Sequence, residues 1–345
     1  KKDWNFLHNK LTRKNINSYL YSFINYEIAK IWLDTYHTSK KFVNIICVYI
    51  KDDPIIIIPL IKYKFLGFSI FKFIGGLELD YKNIMFESDE INNYEVLIYK
   101  KIRSFLGFNY IFIIDGISDK NTFKFLKKLF NYKFLIKKDV ASYLIPSNDI
   151  VPKKLKKRII KFKDKNKVTY KKITKSDKNF DLILKNLFLL KNQQYKRNKS
   201  SLMPLKREKF YWRLANSNLA HLSITKIEND FGAIHLGLLT NNNFVYLLPA
   251  YNSSYSKDSP GWIHIDYLLD ECISLRVNKF DLTIGNEGYK NRISTNKTNI
   301  YSLIGSDIYS ILNLLFVRFY YYLNDFPLFN DLKKILKVLI KKLVN

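Results

Sequence analysis

Cysteine is nearly absent from this chain. There are two in 345 residues, Cys47 and Cys272. Both sit in apolar runs, so they read as small buried hydrophobes and not as a disulfide or metal pair. That usage suits a reducing compartment. Histidine is scarce too, with five, and none falls in a close His/Cys/Asp cluster that would give a metal centre. Long hydrophobic runs are also missing. A membrane span needs ~18–20 unbroken apolar residues; Ile55–Ile61 is too short, and Tyr309–Tyr322 is interrupted by Asn313 and Arg318. The opening KKDWNFLHNK is charged but leads to no apolar core, so no secretory leader is read there. The expected localisation is cytoplasmic.

Glycine (11) and proline (8) are low, while Lys, Asn, Ile, Tyr and Phe crowd the chain. A genome poor in G and C imposes those preferences on any protein. Acidic residues are few: 30 Asp and Glu stand against 58 Lys and Arg, a net charge of +28. Such an excess invites a nucleic-acid or membrane reading. The compositional bias accounts for it as a solvated Lys-rich surface, and attraction to an anionic cofactor or lipid surface is the alternative.

What is present is core material. Hydrophobic residues make up 47% and aromatics 16%, enough for two cores in a globular chain whose length favours two domains. Apolar residues at helical spacing predict a helix over 18–40. Phe42–Ile50, a KDDP turn and Ile55–Tyr63 predict a hairpin. Strands follow at Phe68–Ile74 and Asn83–Phe86, then a helix over 91–107, a strand at Tyr110–Ile114 and a helix at Thr122–Phe130. The order predicts an α/β or α+β domain over 1–150, with a second over 151–345. The second opens on the basic run VPKKLKKRIIKFKDKNKV (151–168), read as the start of that domain, with direct cofactor or lipid contact as the alternative. Helices at Phe180–Tyr195 and 206–217 precede a three-stranded meander over 221–228, 231–240 and 243–251. Beyond a strand at Tyr301–Gly305, a helix is expected at Tyr309–Leu323. The tail, 331–345, is an amphipathic helix with Leu332, Ile335, Leu336, Leu339, Ile340 and Leu343 on one face and lysines on the other. It docks on its own domain or touches an anionic membrane surface peripherally.

The most informative stretch runs from Phe244 to Arg292. Two strand-like runs, Phe244–Tyr251 and Phe280–Ile284, flank a helical segment at Ile263–Leu275. A strand, a helix and a strand within about forty residues form a crossover unit, which favours parallel strands. The turn into the helix, SKDSPGW, places Ser259 at the N-cap, Pro260 at the first helical position and Gly261 beside it. Free N–H groups and the positive helix end make an anion site that suits a pyrophosphate; an ordinary helix start explains the same residues. Pro249, late in the first strand, belongs at an edge or a bulge.

The runs FYWRLA (210–215), HLGLLT (235–240), YLLPAYNSSYSKDSPGW (246–262) and KFDLTIGNEGYKNR (279–292) follow one another in this order. Together they resemble the C-terminal half of the GNAT-type acyltransferases found in bacterial cellulose and exopolysaccharide clusters, the CelD/BcsL family, which are relatives of the FemAB peptidoglycan transferases. Asp281, Gly285, Glu287, Tyr289 and Lys290 fall on that family's "fD-x-x-x-G-x-e-x-YK" ending. The resemblance covers about 153–292, and is looser earlier, through IIIIPLI (55–61) and LDYKN (79–83).

The resemblance implies tandem GNAT-like domains with mixed antiparallel and parallel sheets. It also implies an acyltransferase, without a metal, that moves an acyl group, acetyl first, from acyl-CoA to an amine or hydroxyl of a sugar, glycan or envelope precursor. Leu247, Leu248, Ala250, Tyr251, Ser259, Gly261 and Trp262 would hold the cofactor. Glu287 and Asp281 are candidate bases, with a loop-anchoring role as the alternative for Asp281, and Tyr289 would protonate the leaving thiolate. Lys290 would hold an anionic acceptor or the cofactor phosphate. Gln194 and Arg197 stand where the family has a His and a basic or aromatic residue; if that His serves as base elsewhere in the family, this chain needs another base or lacks the activity. Two other readings remain: a FemAB-like aminoacyl transfer from charged tRNA, the one reading with a nucleic-acid partner, and a non-catalytic GNAT-like module at a membrane surface.

Overall fold

The structure, a computed structural model, describes residues 1–306 apart from 15–17, 39–41, 66–67, 88–90, 92–93, 108–109, 130–131 and 241. Contacts divide the chain into two compact units. One holds Thr38–Ile74, Ile84–Lys138 and the chain from Tyr301; the other holds Lys1–His37, Gly75–Asn83 and Asp139–Ile300. The chain thus passes between the units several times, where the sequence reading draws one cut at 150. The helices expected at 309–323 and 331–345 lie outside the described residues. Among the described residues, no helix is long and apolar enough to cross a membrane.

In the first of these units, β1 (Phe42–Ile50) and β2 (Asp53–Phe65) form the expected antiparallel hairpin. β3 (Phe68–Phe73) follows β2 antiparallel, β4 (Met85–Phe86) adds to β2, and β5 (Tyr110–Ile117) lies parallel to β3. The last strand, Asn296–Ser306, pairs its residues 301–306 with β5. Helices Glu95–Leu106 and Lys120–Leu129 close over a core that includes Ile56, Phe71, Phe112 and Phe125. Cys47 is exposed, contrary to the expectation of a buried thiol. It lies on the sheet's edge strand, where alternation turns Ile46 inward and its neighbour out.

The other unit is built on strands in the order β6 (Tyr132–Leu144), β11 (Lys279–Ile284), β10 (Asn243–Tyr251), β9 (Asp230–Thr240), β8 (Ala220–Ile227) and β7 (Val168–Ile173). β7 to β10 are antiparallel neighbours, the expected meander with one more edge strand. β10 and β11 are parallel and joined by the helix Pro260–Ser274, as a crossover unit requires. That helix buries Ile263, Leu268, Leu269 and Cys272 against Phe244, Phe280 and Leu282.

The helix expected over 18–40 is two pieces in the same unit, a 3₁₀ turn at Ser18–Ile24 and a helix at Tyr26–Tyr36. Asn25 makes the break: its backbone is extended, and its side chain accepts the Glu27 N–H at 2.8 Å. A capping side chain starts a new helix whatever the apolar periodicity around it.

Candidate functional site

The cleft begins where two parallel strands part. β10 and β11 pair through Asn243–Lys279, Phe244–Phe280 and Val245–Asp281, and no further. On its other side β10 keeps β9, but the register slips between Val245 and Leu248, so one extra residue bulges out. β11 is irregular at the same level: its pairing with β6 slips between Asp281 and Ile284, and Thr283 has φ 66°. Beyond these bulges the strands diverge around a cavity of about 630 Å³. Pro249, expected at an edge or a bulge, is not in the bulge, which lies two to three residues earlier, at Tyr246–Leu247. Pro249 sits in regular register opposite His235, with its carbonyl turned to the Lys191 ammonium. In extended backbone its nitrogen points the same way, so β9 loses no ladder bond to the proline.

The crossover helix closes one end of the cavity. Ser259 occupies the N-cap position, but its backbone is left-handed (φ 58°, ψ 53°) and its hydroxyl makes no capping bond. Pro260 has no N–H, so Gly261 carries the first one of the helix. Gly261 does not have a positive φ, and a Cβ there would meet only Tyr251 Cδ1, at 3.8 Å. Neither backbone strain nor packing asks for glycine at 261; its effect is to leave the helix start open to the cavity.

Polar contacts hold this helix in place along its length. His264 engages both ring nitrogens, with Thr225 Oγ1 at 2.7 Å and Ser223 Oγ at 3.1 Å, and burial lowers its pKa to about 3. It lines the cavity as a neutral ring with no nitrogen left to act as a base. Glu271 accepts from the Tyr170 hydroxyl and contacts His221 Nε2 at 3.1 Å. Asp266, buried, takes the Lys156 and Lys163 ammonium groups, the latter at 2.9 Å. Two lysines of the basic run are thereby committed to anchoring, on a helix spanning Lys153–Lys165. Asp266→Ala is expected to destabilise the fold by about 1–3 kcal/mol by leaving two half-buried cations without their acceptor. Thermal unfolding should show the loss for Asp266→Ala but not for Lys153→Ala, an exposed position on the same helix; equal melting temperatures would refute the anchoring role.

The segment after β11 also lines the cavity. Gly285 has φ 130°, open to glycine, and a Cβ there would fall 2.4 Å from Glu287 Oε2. Glu287 and Tyr289 line the cavity, and Tyr289 packs edge-on to Tyr246 and Trp262. Burial, with Glu287 nearby, raises the Tyr289 pKa, so its phenol stays protonated. Lys290 reaches the cavity wall, but its ammonium donates to Ile284 O at 2.8 Å and pairs with Glu287 Oε2 at 2.9 Å. Leu247, Ala250, Tyr251, Ser259, Gly261, Trp262 and Gln194 also line the cavity. Gln194 Nε2 is buried with no partner.

Three expected site residues are placed elsewhere. Leu248 is buried in the core. Arg197 stacks its guanidinium over the Tyr251 ring at 5.5 Å. Asp281 is fully buried and takes the anchoring alternative, its Oδ1 accepting from the Tyr81 hydroxyl and from the Thr283 N–H, both at 2.7 Å.

Residues that sequence reasoning did not assign complete the cavity. Asp80 lines it and accepts the Ile284 N–H at 3.2 Å; burial raises its pKa. Asp80 and Tyr81 belong to the LDYKN run, whose loose resemblance was the available signal. The helix Phe180–Arg197 and its C-cap contribute Lys191, Gln194, Tyr195 and Asn198. Their three- and four-residue spacing places all four on one face, so Gln194 pointed to the others. Among the described residues, no group of His, Cys, Asp or Glu could hold a metal ion.

Residues 151–291 match a family model described as "Acetyltransferase (GNAT) domain". This part of the chain is a GNAT-like domain. Its parted strands and crossover helix are the features that form the cavity. Among solved structures, FemX is similar at a TM-score of 0.59 and 10% identity, over 79% of this chain and 90% of that one. A conserved protein of unknown function from Bacteroides thetaiotaomicron is similar at 0.52 and 13%, over 81% and 90%. The C-terminal domain of a protein assigned as a lysylphosphatidylglycerol synthetase, from Agrobacterium fabrum, is similar at 0.50 and 8%, over 84% and 90%. At these identities the likeness is one of fold. No curated protein sequence matches significantly.

Proposed function

We propose that the protein transfers an acyl group, acetyl first, from acyl-CoA to an amine or hydroxyl of a sugar, glycan or envelope precursor. The observation that carries this reading is the parting of β10 from β11 at Val245 and Asp281, which opens a channel ending on an uncapped helix start. A pantetheine arm would lie along Leu247–Tyr251, and the pyrophosphate would take the Gly261 N–H at the positive end of the helix, since the Trp262 and Ile263 N–H groups donate to the Ser259 carbonyl at 2.9 and 3.2 Å. Glu287, which lines the cavity and pairs with Lys290, would accept a proton from the acceptor. Tyr289 would return a proton to the leaving thiolate. Gln194 is not a base; its unpartnered Nε2 is a donor for an oxygen of the ligand. The glycan acceptor rests on the resemblance to exopolysaccharide-cluster enzymes. Calorimetric titration of the full chain with acetyl-CoA tests the donor: micromolar binding is expected, and no heat at millimolar ligand would end this reading.

A second donor, an aminoacyl-tRNA, is favoured by one feature. The helix Lys153–Lys165 exposes Lys153, Lys154, Lys157, Arg158, Lys161 and Lys165. Arg158 also donates to Lys257 O at 3.3 Å, in the turn that precedes the crossover helix. A cationic face beside the cleft suits a polyphosphate backbone. Under this reading tRNA binding is expected to weaken steeply with salt and with Lys154→Glu/Lys157→Glu. Retention measured by filter binding that is unchanged by either would count against it.

A further inference from the structure

The cleft contains an amine of its own. Lys191 projects from the helix Phe180–Arg197 into the cavity, and its Nζ sits 2.9 Å from the Pro249 carbonyl. Pro249 belongs to the part of β10 that has left β11, the strand along which the acyl arm is placed above. A lysine here is costly to keep charged. Burial lowers its pKa to about 8; Lys290 pushes the same way and Glu287 opposes. The other groups facing it are the Tyr195 ring, 5.6 Å away, and His235, a neutral buried ring. Lys290, the second lysine of the cavity wall, is bound to Ile284 O and Glu287, and offers no comparable free amine.

From this placement, and resting on the acyl-CoA reading, we infer that Lys191 is a site of self-acylation: in the absence of an acceptor, its side-chain amine takes the acyl group from the bound thioester. The neutral amine attacks the thioester carbonyl, forming the C–N bond. The tetrahedral intermediate collapses, the C–S bond breaks, and the thiolate leaves with the proton that nitrogen sheds. The products are Nε-acyl-lysine and free coenzyme A, with no oxidant or further reactant. An amide does not pass its acyl group on to another amine under these conditions, so the product is a closed state and not an intermediate. Acylated Lys191 would also lose its bond to Pro249 as a cation and occupy part of the cavity. A true acceptor bound in the cleft protects it.

The experiment incubates the full chain with acetyl-CoA, without acceptor, over pH 7–9, and maps the modified lysines by peptide mass spectrometry; acetyl-CoA binding is measured separately by calorimetry. Lys191 should be acetylated at least about tenfold faster than the exposed lysines of the 153–165 helix, which report background chemistry. Its rate should rise with pH through about 8, and excess coenzyme A should suppress it. Lys191→Arg keeps the cation but removes the nucleophile, and should bind acetyl-CoA without gaining the mark. Binding with Lys191 no faster than the exposed lysines would overturn the inference and leave the proposed donor standing. Absence of both binding and acylation would end the donor reading and this inference with it.

Discussion

Gly261→Asp is expected to abolish acyl-CoA binding while leaving the fold intact. A carboxylate in the first turn of a helix is favourable for the helix itself, by about 0.3–1 kcal/mol, because it faces the positive end of the dipole. The space for it exists, since a Cβ at 261 meets only Tyr251, at 3.8 Å. The same carboxylate would sit at the Gly261 N–H and the positive helix end that a pyrophosphate needs, and would repel its charge. The expected loss is more than about 100-fold in Kd, or about 2.7 kcal/mol. Gly261→Ala separates charge from bulk: it should raise stability by roughly 0.5–1 kcal/mol and weaken binding far less than aspartate does. The pair is read by calorimetry for the ligand and by thermal unfolding for the fold. Wild-type affinity in Gly261→Asp would show that the anion is held elsewhere.

Asp281→Asn should stabilise the protein at pH 8 and have little effect at pH 4. Asp281 is fully buried, and desolvation raises its pKa to about 7; its hydrogen bonds from Tyr81 and Thr283 oppose that, and the nearby Asp80 carboxylate adds to it. A carboxyl with an ordinary unfolded pKa near 3.9 then binds its proton more tightly in the folded state. Stability is therefore full below about pH 4 and falls as pH rises to about 7, by up to roughly 4 kcal/mol once the buried group is ionised. Asparagine keeps the Oδ1 that accepts from Tyr81 and Thr283. It also puts a donor where Oδ2 has no partner, so the charge is removed without loss of the network. Asp281→Ala should differ from asparagine at low pH, costing about 2–5 kcal/mol at pH 4 by removing the oxygen that accepts from Tyr81 and Thr283, with the cost shrinking toward pH 8 because the ionisation penalty of the wild type is removed as well. Melting curves of the three proteins between pH 4 and 8 decide the matter. If Asp281→Asn were less stable than wild type at pH 8, the buried group would not be one that burial disfavours as an anion.

Much of the domain that carries the cleft was legible in the sequence because its signals are local. Alternating and helical periodicities mark β8 to β11 and the crossover helix, and turn residues such as Ser259, Pro260 and Gly261 mark where that helix starts. The order of those elements, three antiparallel strands and one crossover, determined a mixed sheet with a parallel pair at its centre. The sequence by itself also determined where the crossover helix starts and that Gly261 carries its first N–H, since Pro260 before it has none.

Only the tertiary structure decided the rest, and the reason is contact across long sequence separation. Tyr81 reaches Asp281 over 200 residues, and that bond makes Asp281 an anchor behind the cleft; no local pattern distinguishes a buried carboxylate from a base. The bulge at Tyr246–Leu247 depends on how β10 meets β9 and β11 together, so Pro249, the local cue, marked the strand but not the slip. Lys191 is one of 58 basic residues until the fold lays its helix across the mouth of the parted strands. Burial, which sets its proton affinity and that of Asp281, is a property of the packed chain; residue order states which groups exist, and packing states which of them lose their water.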